Sequence, residues 1–288
     1  MNSTPMSPDA LPPEDVALRA EAAGVAKAGR DGLTLLTLAV LAGAFIALGA
    51  MFSTLVSVGI ADALPWGLGR LVIGAVFALG LMLVVVCGAE LFTGDVLMTV
   101  AWASRRISTG RMLRVWAIVL AGNLAGGIGT ALLVLLSGHP FAAGGGVAAA
   151  ALEIAAGKVA LPPGRAFFLG VLCNVLVCLA VWASLAARSV ADKVLVILPP
   201  VAAFVAAGFE HSVANFYYLS LGWLVRSFAP DDFWARTGVT PDQFAMLTLD
   251  VFVRSQSVVI LGNVAGGAVL VALVYWLAYR RPRRRAGA

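Results

Sequence analysis

Two apolar stretches of this chain are too long to be simple membrane spans. Residues 67–104 and 193–225 each run past 30 residues, where about 20 suffice to cross the hydrocarbon core of a bilayer. Each also holds a cluster of glycine and polar side chains: CGAELFTGD from Cys87 to Asp95, and AAGFEHSVAN from Ala206 to Asn215. A tilted continuous helix accounts for the length but not for the clusters. Helices broken inside the membrane account for both, because backbone amides freed at a break need protein or water as partners.

Lipid is the solvent this chain is built for: 61% of its residues are hydrophobic and only 12% charged, against about 25% charged in soluble domains. Further apolar zones lie at 33–57, 112–137, 164–187 and 255–280, which makes six. The chain also repeats itself. GAELFTGD from Gly88 is echoed by GFEHSVAN from Gly208, and GNLAGG from Gly122 by GNVAGG from Gly262. The motif order is the same in both halves, and the polar loop Arg226–Arg254 accounts for the wider spacing in the second. Three spans per half require the second copy to enter from the opposite face, the inverted pattern of transporters and channels whose site lies where two broken helices meet. The expected fold is therefore an all-α membrane protein. Six transmembrane helices form an inverted 3+3 repeat, with the second and fifth helices broken. Residues 1–32 are an arm, 33–281 the six-span domain (halves at about 33–137 and 164–280), and 282–288 a basic tail.

Charge sets the expected orientation. With both termini in the cytoplasm, 14 of the 20 lysines and arginines fall on the inner side, as the positive-inside rule requires. The net charge of +5 then reads as topology and contact with acidic headgroups. No basic soluble domain is present to take nucleic acid. The polar start, with Glu14, Asp15, Glu21 and Asp31, has no apolar core of a signal peptide, so the chain is expected to keep its N-terminus. The arm's Ala-rich run after two prolines reads as a surface helix, with a plug over the cytoplasmic mouth as the alternative.

Glu90 and Glu210 occupy matching places in the two halves. A buried carboxylate needs partners, and Asn123, Asn174, Asn263, Lys158 or the break amides are the candidates. The two acids read as staples, since a fixed negative charge in an anion path is self-defeating. Gly122, Gly126, Gly127, Gly262, Gly266 and Gly267 suit close helix approach. Cys87, Cys173 and Cys178, an odd set in apolar zones, read as packing residues and not as a disulfide framework. His211 is the histidine of the apolar zones, His139 lying in the SGHP loop. An intramembrane histidine is a functional candidate, able to donate to an anion or to change charge near neutral pH, and Thr93 could supply a hydroxyl across from it. Lys158 reads equally as a cation at an outer mouth or as a snorkelling interface residue. Metal ligand spacing is lacking, as is a histidine pair for haem; no cofactor is expected. An enzyme built on Glu210 and His211 lacks a nucleophile, and a water or polyol channel fits poorly with large apolar pore residues.

With these residues in view, the chain resembles the formate/nitrite transporter family, and within it the formate channels. CGAELFTG, CNVLVCLAVW, VAAFVAAGFEHSVAN and LGNVAGG carry the resemblance, which extends over nearly the whole chain. It implies an aquaporin-like protomer, a homopentamer in the bacterial inner membrane, one pore per subunit, and formate as substrate, with nitrite or hydrosulfide as alternatives. It implies a cytoplasmic constriction at Leu81 and Phe204, and an outer one at Leu91, Phe92 and Val177 with Asn174 beside it. Thr93 and His211 match a central pair that binds the anion and could hand it a proton. Lys158, Glu210 and Asn263 match polar positions, and the arm matches a gating segment. The pair Gly94–Asp95 departs from the formate-channel pattern.

Overall fold

The computed structural model describes residues 9–281; the predicted basic tail 282–288 lies outside them. Helix α1 (Pro13–Ala28) opens the chain. It is followed by α2 (Gly32–Ser57), started by the Asp31 side chain accepting from the Thr34 amide, and by α3 (Trp66–Cys87). After a non-helical gap come α4 (Phe92–Asp95), a 3-10 turn and α5 (Thr99–Ala103). Then follow α6 (Thr109–Leu136), α7 (Gly146–Val159) and α8 (Pro163–Ala186). A second gap separates α9 (Val190–Ala206) from α10 (Ser212–Phe228). The last long helix starts as α11 (Leu249–Val264) and continues in π form over Ala265–Leu273 and Trp276–Arg280.

Among the described residues five helices are long and apolar enough to cross a membrane: α2, α3, α6, α8 and the segment ending at Arg280. The fifth apolar zone is divided between α9 and α10, each 17 residues long. The outward faces of α6, α9 and α11 carry large apolar side chains such as Leu133, Leu195 and Leu261, which suits lipid or a neighbouring copy. Cys173 and Cys178 are buried as expected, but Cys87 is exposed at the end of α3.

The repeated Gly-Asn-x-Ala-Gly-Gly runs act where backbones touch. A Cβ on Gly126 would stand 2.1 Å from the Val40 carbonyl oxygen in α2, and one on Gly266 2.2 Å from that of Val171 in α8. Each half therefore clamps its third helix onto its first. Helix α7 was not anticipated, because 14 residues fall short of a span; Gly222 of α10 admits it, a Cβ there standing 2.4 Å from Ala155.

The arm is not a surface helix. Val16, Ala17 and Ala20 of α1 are buried against Leu97, Val100, Trp182 and Val271. Its Glu21 accepts from Arg280 at 3.0 and 3.2 Å and from the Ser104 hydroxyl.

Candidate functional site

Both gaps open the same way. Gly88 (φ 78°) and Gly208 (φ 74°) adopt the left-handed conformation that ends a helix at low cost only for glycine. The amides one residue on, Ala89 and Phe209, donate back to Val84 and Phe204. Asparagines then stitch each gap. Asn123 donates to Ala39 O (2.7 Å) and Glu90 O (2.9 Å) and accepts from the Phe92 amide (2.8 Å). Asn263 donates to Gly170 O (2.8 Å) and Glu210 O (2.9 Å) and accepts from the Ser212 amide (2.9 Å). The duplicated sequence thus builds the same staple twice, and it serves the backbone, not the carboxylates. Asn174 backs the second staple by donating to Asn263 O at 2.6 Å.

His211 caps α10: its Nδ1 accepts from the Ala214 amide at 3.1 Å. That bond assigns the imidazole a neutral form with its proton on Nε2. The Nε2–H reaches the Thr93 hydroxyl oxygen at 3.0 Å, joining the two gaps. Among the described residues, Thr93 Oγ1 has no other hydrogen-bond partner, so its own proton is available to a guest. His211 also stacks on Phe204 (5.8 Å, 17°).

A cavity of about 400 Å³ reaches down to His211. Arg70, Lys158 and Arg165 line it along with Phe204, Glu210 and His211. Lys158 does not snorkel: its ammonium donates to Glu210 at 3.0 Å and sits over the Tyr218 ring. Glu210 is completed by Asn215 Nδ2 at 2.7 Å. Arg70 caps the end of α9 by donating to the carbonyls of Val205 (2.8 Å) and Ala206 (3.0 Å). The exposed Glu153 also lines this mouth, which is still cationic on balance, with its one deep carboxylate, Glu210, already paired.

On the opposite side of Thr93 the arm closes the structure. Lys27 pairs with Glu90 (2.6 Å) and with Asp95, and Arg30 pairs with Glu90. Burial pulls the Lys27 ammonium down, but Asp95 and Glu90 outweigh it and hold it above its ordinary value. Burial raises Glu21, yet Arg280 and Ser104 hold its carboxyl below the usual range.

One expectation changes here. Phe204 lines the same cavity as Arg70, Lys158 and Arg165, whereas Leu91 and Phe92 are buried next to Glu90, the partner of Lys27 and Arg30. Glu90 is served by Lys27 and Arg30, not by Asn174, Asn263 or Lys158. Leu81 and Val177 are buried. Sequence reasoning missed Lys27, Arg30, Arg70, Asp95 and Asn215 as site residues. Asp95 and Asn215 stand at the same offset from Glu90 and Glu210, a signal that was available.

The profile of the formate/nitrite transporter family matches residues 14–277. The chain belongs to the formate/nitrite transporter family. It is 43% identical over 274 residues to the formate channel FocA of Escherichia coli K12, covering 95% of this chain and 96% of that one. It is 32% identical to the formate channel BtFdhC of Bacillus thuringiensis, covering 93% and 96%. Among solved structures of the family it is similar to a pentameric formate channel with formate bound (TM-score 0.82, 41% identity, 86% of this chain and 97% of that one). It is also similar to an FNT family ion channel (TM-score 0.77, 30% identity, 92% and 98%).

Proposed function

We propose that this protein is a formate channel of the bacterial cytoplasmic membrane, a homopentamer with one pathway through each subunit. The observation that carries this reading is His211 at the base of a cavity lined by Arg70, Lys158 and Arg165, hydrogen-bonded to the buried Thr93 behind it. Formate-channel relatives along nearly the whole chain support the substrate, and the formate-bound pentamer supports the assembly. Each subunit has six spans in an inverted repeat, with its second and fifth spans broken at Gly88 and Gly208 and both termini in the cytoplasm. It works as a channel and not as an enzyme.

Arg70, Lys158 and Arg165 raise the local concentration of anions at the mouth. A ring of Leu81 and Phe204 and a second of Leu91, Phe92 and Val177 reject hydrated ions, because stripping water from a charge is costly. Between the rings, Thr93 accepts from His211 and turns its own hydroxyl toward the carboxylate. The N-terminus of α10 adds its positive end. His211 acts as a neutral donor: protonating Nδ1 would sacrifice the cap on α10, so the histidine polarises Thr93 rather than passing a proton.

Uptake of labelled formate into proteoliposomes, with nitrite and hydrosulfide as competitors, tests this. Saturable formate uptake that nitrite or hydrosulfide displaces only at higher concentration supports it. Preferential uptake of either competitor overturns formate as the substrate.

A further inference from the structure

On the arm's side of the molecule, away from the conduit, two adjoining hollows of about 490 and 820 Å³ share Ala103, Arg105, Arg106 and Trp276. Arg280 lines the first and Arg111 the second. Glu21 is the one carboxylate in either lining, and of the lining arginines it engages only Arg280 and Arg106 (3.0 and 3.8 Å). Arg105 and Arg111 are exposed and form no ion pair among the described residues. The site therefore keeps uncompensated positive charge at the ends of α5, α6 and the last helix.

Its backbone is unusual. Arg105 follows α5 in the left-handed region (φ 59°), and the Arg106 amide donates back to Ala101 O at 2.9 Å. That is the helix-ending position glycine normally fills. An arginine held there against its conformational preference points to a need for its side chain. Trp102 and Trp276 flank the hollows, their indole N–H groups fixed on Thr109 and Ser104 at 3.0 and 3.1 Å. Indoles beside cations at the end of apolar helices belong at the level of lipid headgroups.

We propose that this cleft binds the phosphate of an anionic phospholipid, and that the phosphate competes with Glu21 for Arg106 and Arg280. Ser104 links the two: its hydroxyl donates to Glu21 and accepts from Trp276. A phosphodiester drawn in by Arg105 and Arg111 takes up the guanidinium groups that anchor α1, so lipid composition sets how firmly the arm is held. The inference rests on the membrane reading and not on formate; a protein that carries no formate yet retains lipid in this way keeps the site and loses only the substrate.

The test is native mass spectrometry of the full-length assembly after exchange into phosphatidylglycerol or phosphatidylcholine. Wild type is expected to retain phosphatidylglycerol several-fold over phosphatidylcholine. Arg105→Gln combined with Arg111→Gln is expected to abolish that preference, and Glu21→Gln to strengthen it by removing the competitor while raising hydrogen exchange in α1. Equal retention of both lipids by wild type overturns the proposal. So does displacement of phosphatidylglycerol by millimolar inorganic phosphate, which marks a site for a soluble anion. Dissociation of the assembly in the double variant also overturns it, because the cleft is then a subunit contact.

Discussion

His211 and Lys158 carry the chemistry at the scale of single residues, and their hydrogen bonds predict different outcomes. Asparagine retains a side-chain oxygen for capping α10 but is too short to reach Thr93. His211→Asn should therefore fold normally and lose the His211–Thr93 hydrogen bond that aims the Thr93 hydroxyl at the transported anion, about 1.5 kcal/mol or roughly a tenfold fall in formate flux. Because His211 is held neutral by its cap, the shape of the flux–pH profile should not change; a profile that flattens or shifts in this variant would establish proton transfer instead. Lys158→Met leaves Glu210 buried without its cation, at a cost of roughly 3 kcal/mol. Adding Glu210→Gln should recover most of that loss, readable as the midpoint of thermal unfolding in detergent. Failure of the second substitution to rescue the first would mean that Lys158 acts on something other than Glu210.

The staples and glycine clamps belong to the scale of elements. Asn123→Ala and Asn263→Ala each remove three hydrogen bonds around a gap, and each should destabilise the fold by roughly 3 kcal/mol. The two losses should be of similar size, since the staples are equivalent. Gly126→Ala and Gly266→Ala place a methyl against a backbone carbonyl and should reduce assembled protein severely in membranes. Gly110→Ala in the same α6, with open space around it, should be tolerated; equal damage from all three would remove close packing as the explanation. The gaps were legible in the sequence because glycine and polar side chains inside apolar zones violate the demands of lipid. The partners of Glu90 were not, because Lys27 and Arg30 reach it from about 60 positions away through docking of α1, and charges near a first span look like topology signals.

At the scale of the whole molecule, the arm and the pore form one structure, and its pH response follows from two groups outside the spans. Glu21 is held below its ordinary range, so its contribution to arm docking is fully present above the unfolded value of about 4.3 and is lost as pH falls through the lower folded value. Lys27 is held above its ordinary value, so its contribution is present below about 10.4 and is lost only as pH rises through the higher folded value. The protection of α1 amides from hydrogen exchange, taken relative to the intrinsic rate at each pH, should accordingly stay constant between about pH 5 and pH 9 and fall in stronger acid. A transition near pH 6.5 would assign gating of the arm to another group. The account as a whole holds that formate passes through each subunit by way of Thr93 and His211. Electrical recording of the purified protein in planar bilayers under a formate gradient tests that claim most directly. The account predicts a formate-selective current that His211→Asn lowers about tenfold; an intact assembly that passes no formate current, or one indifferent to that substitution, would contradict it.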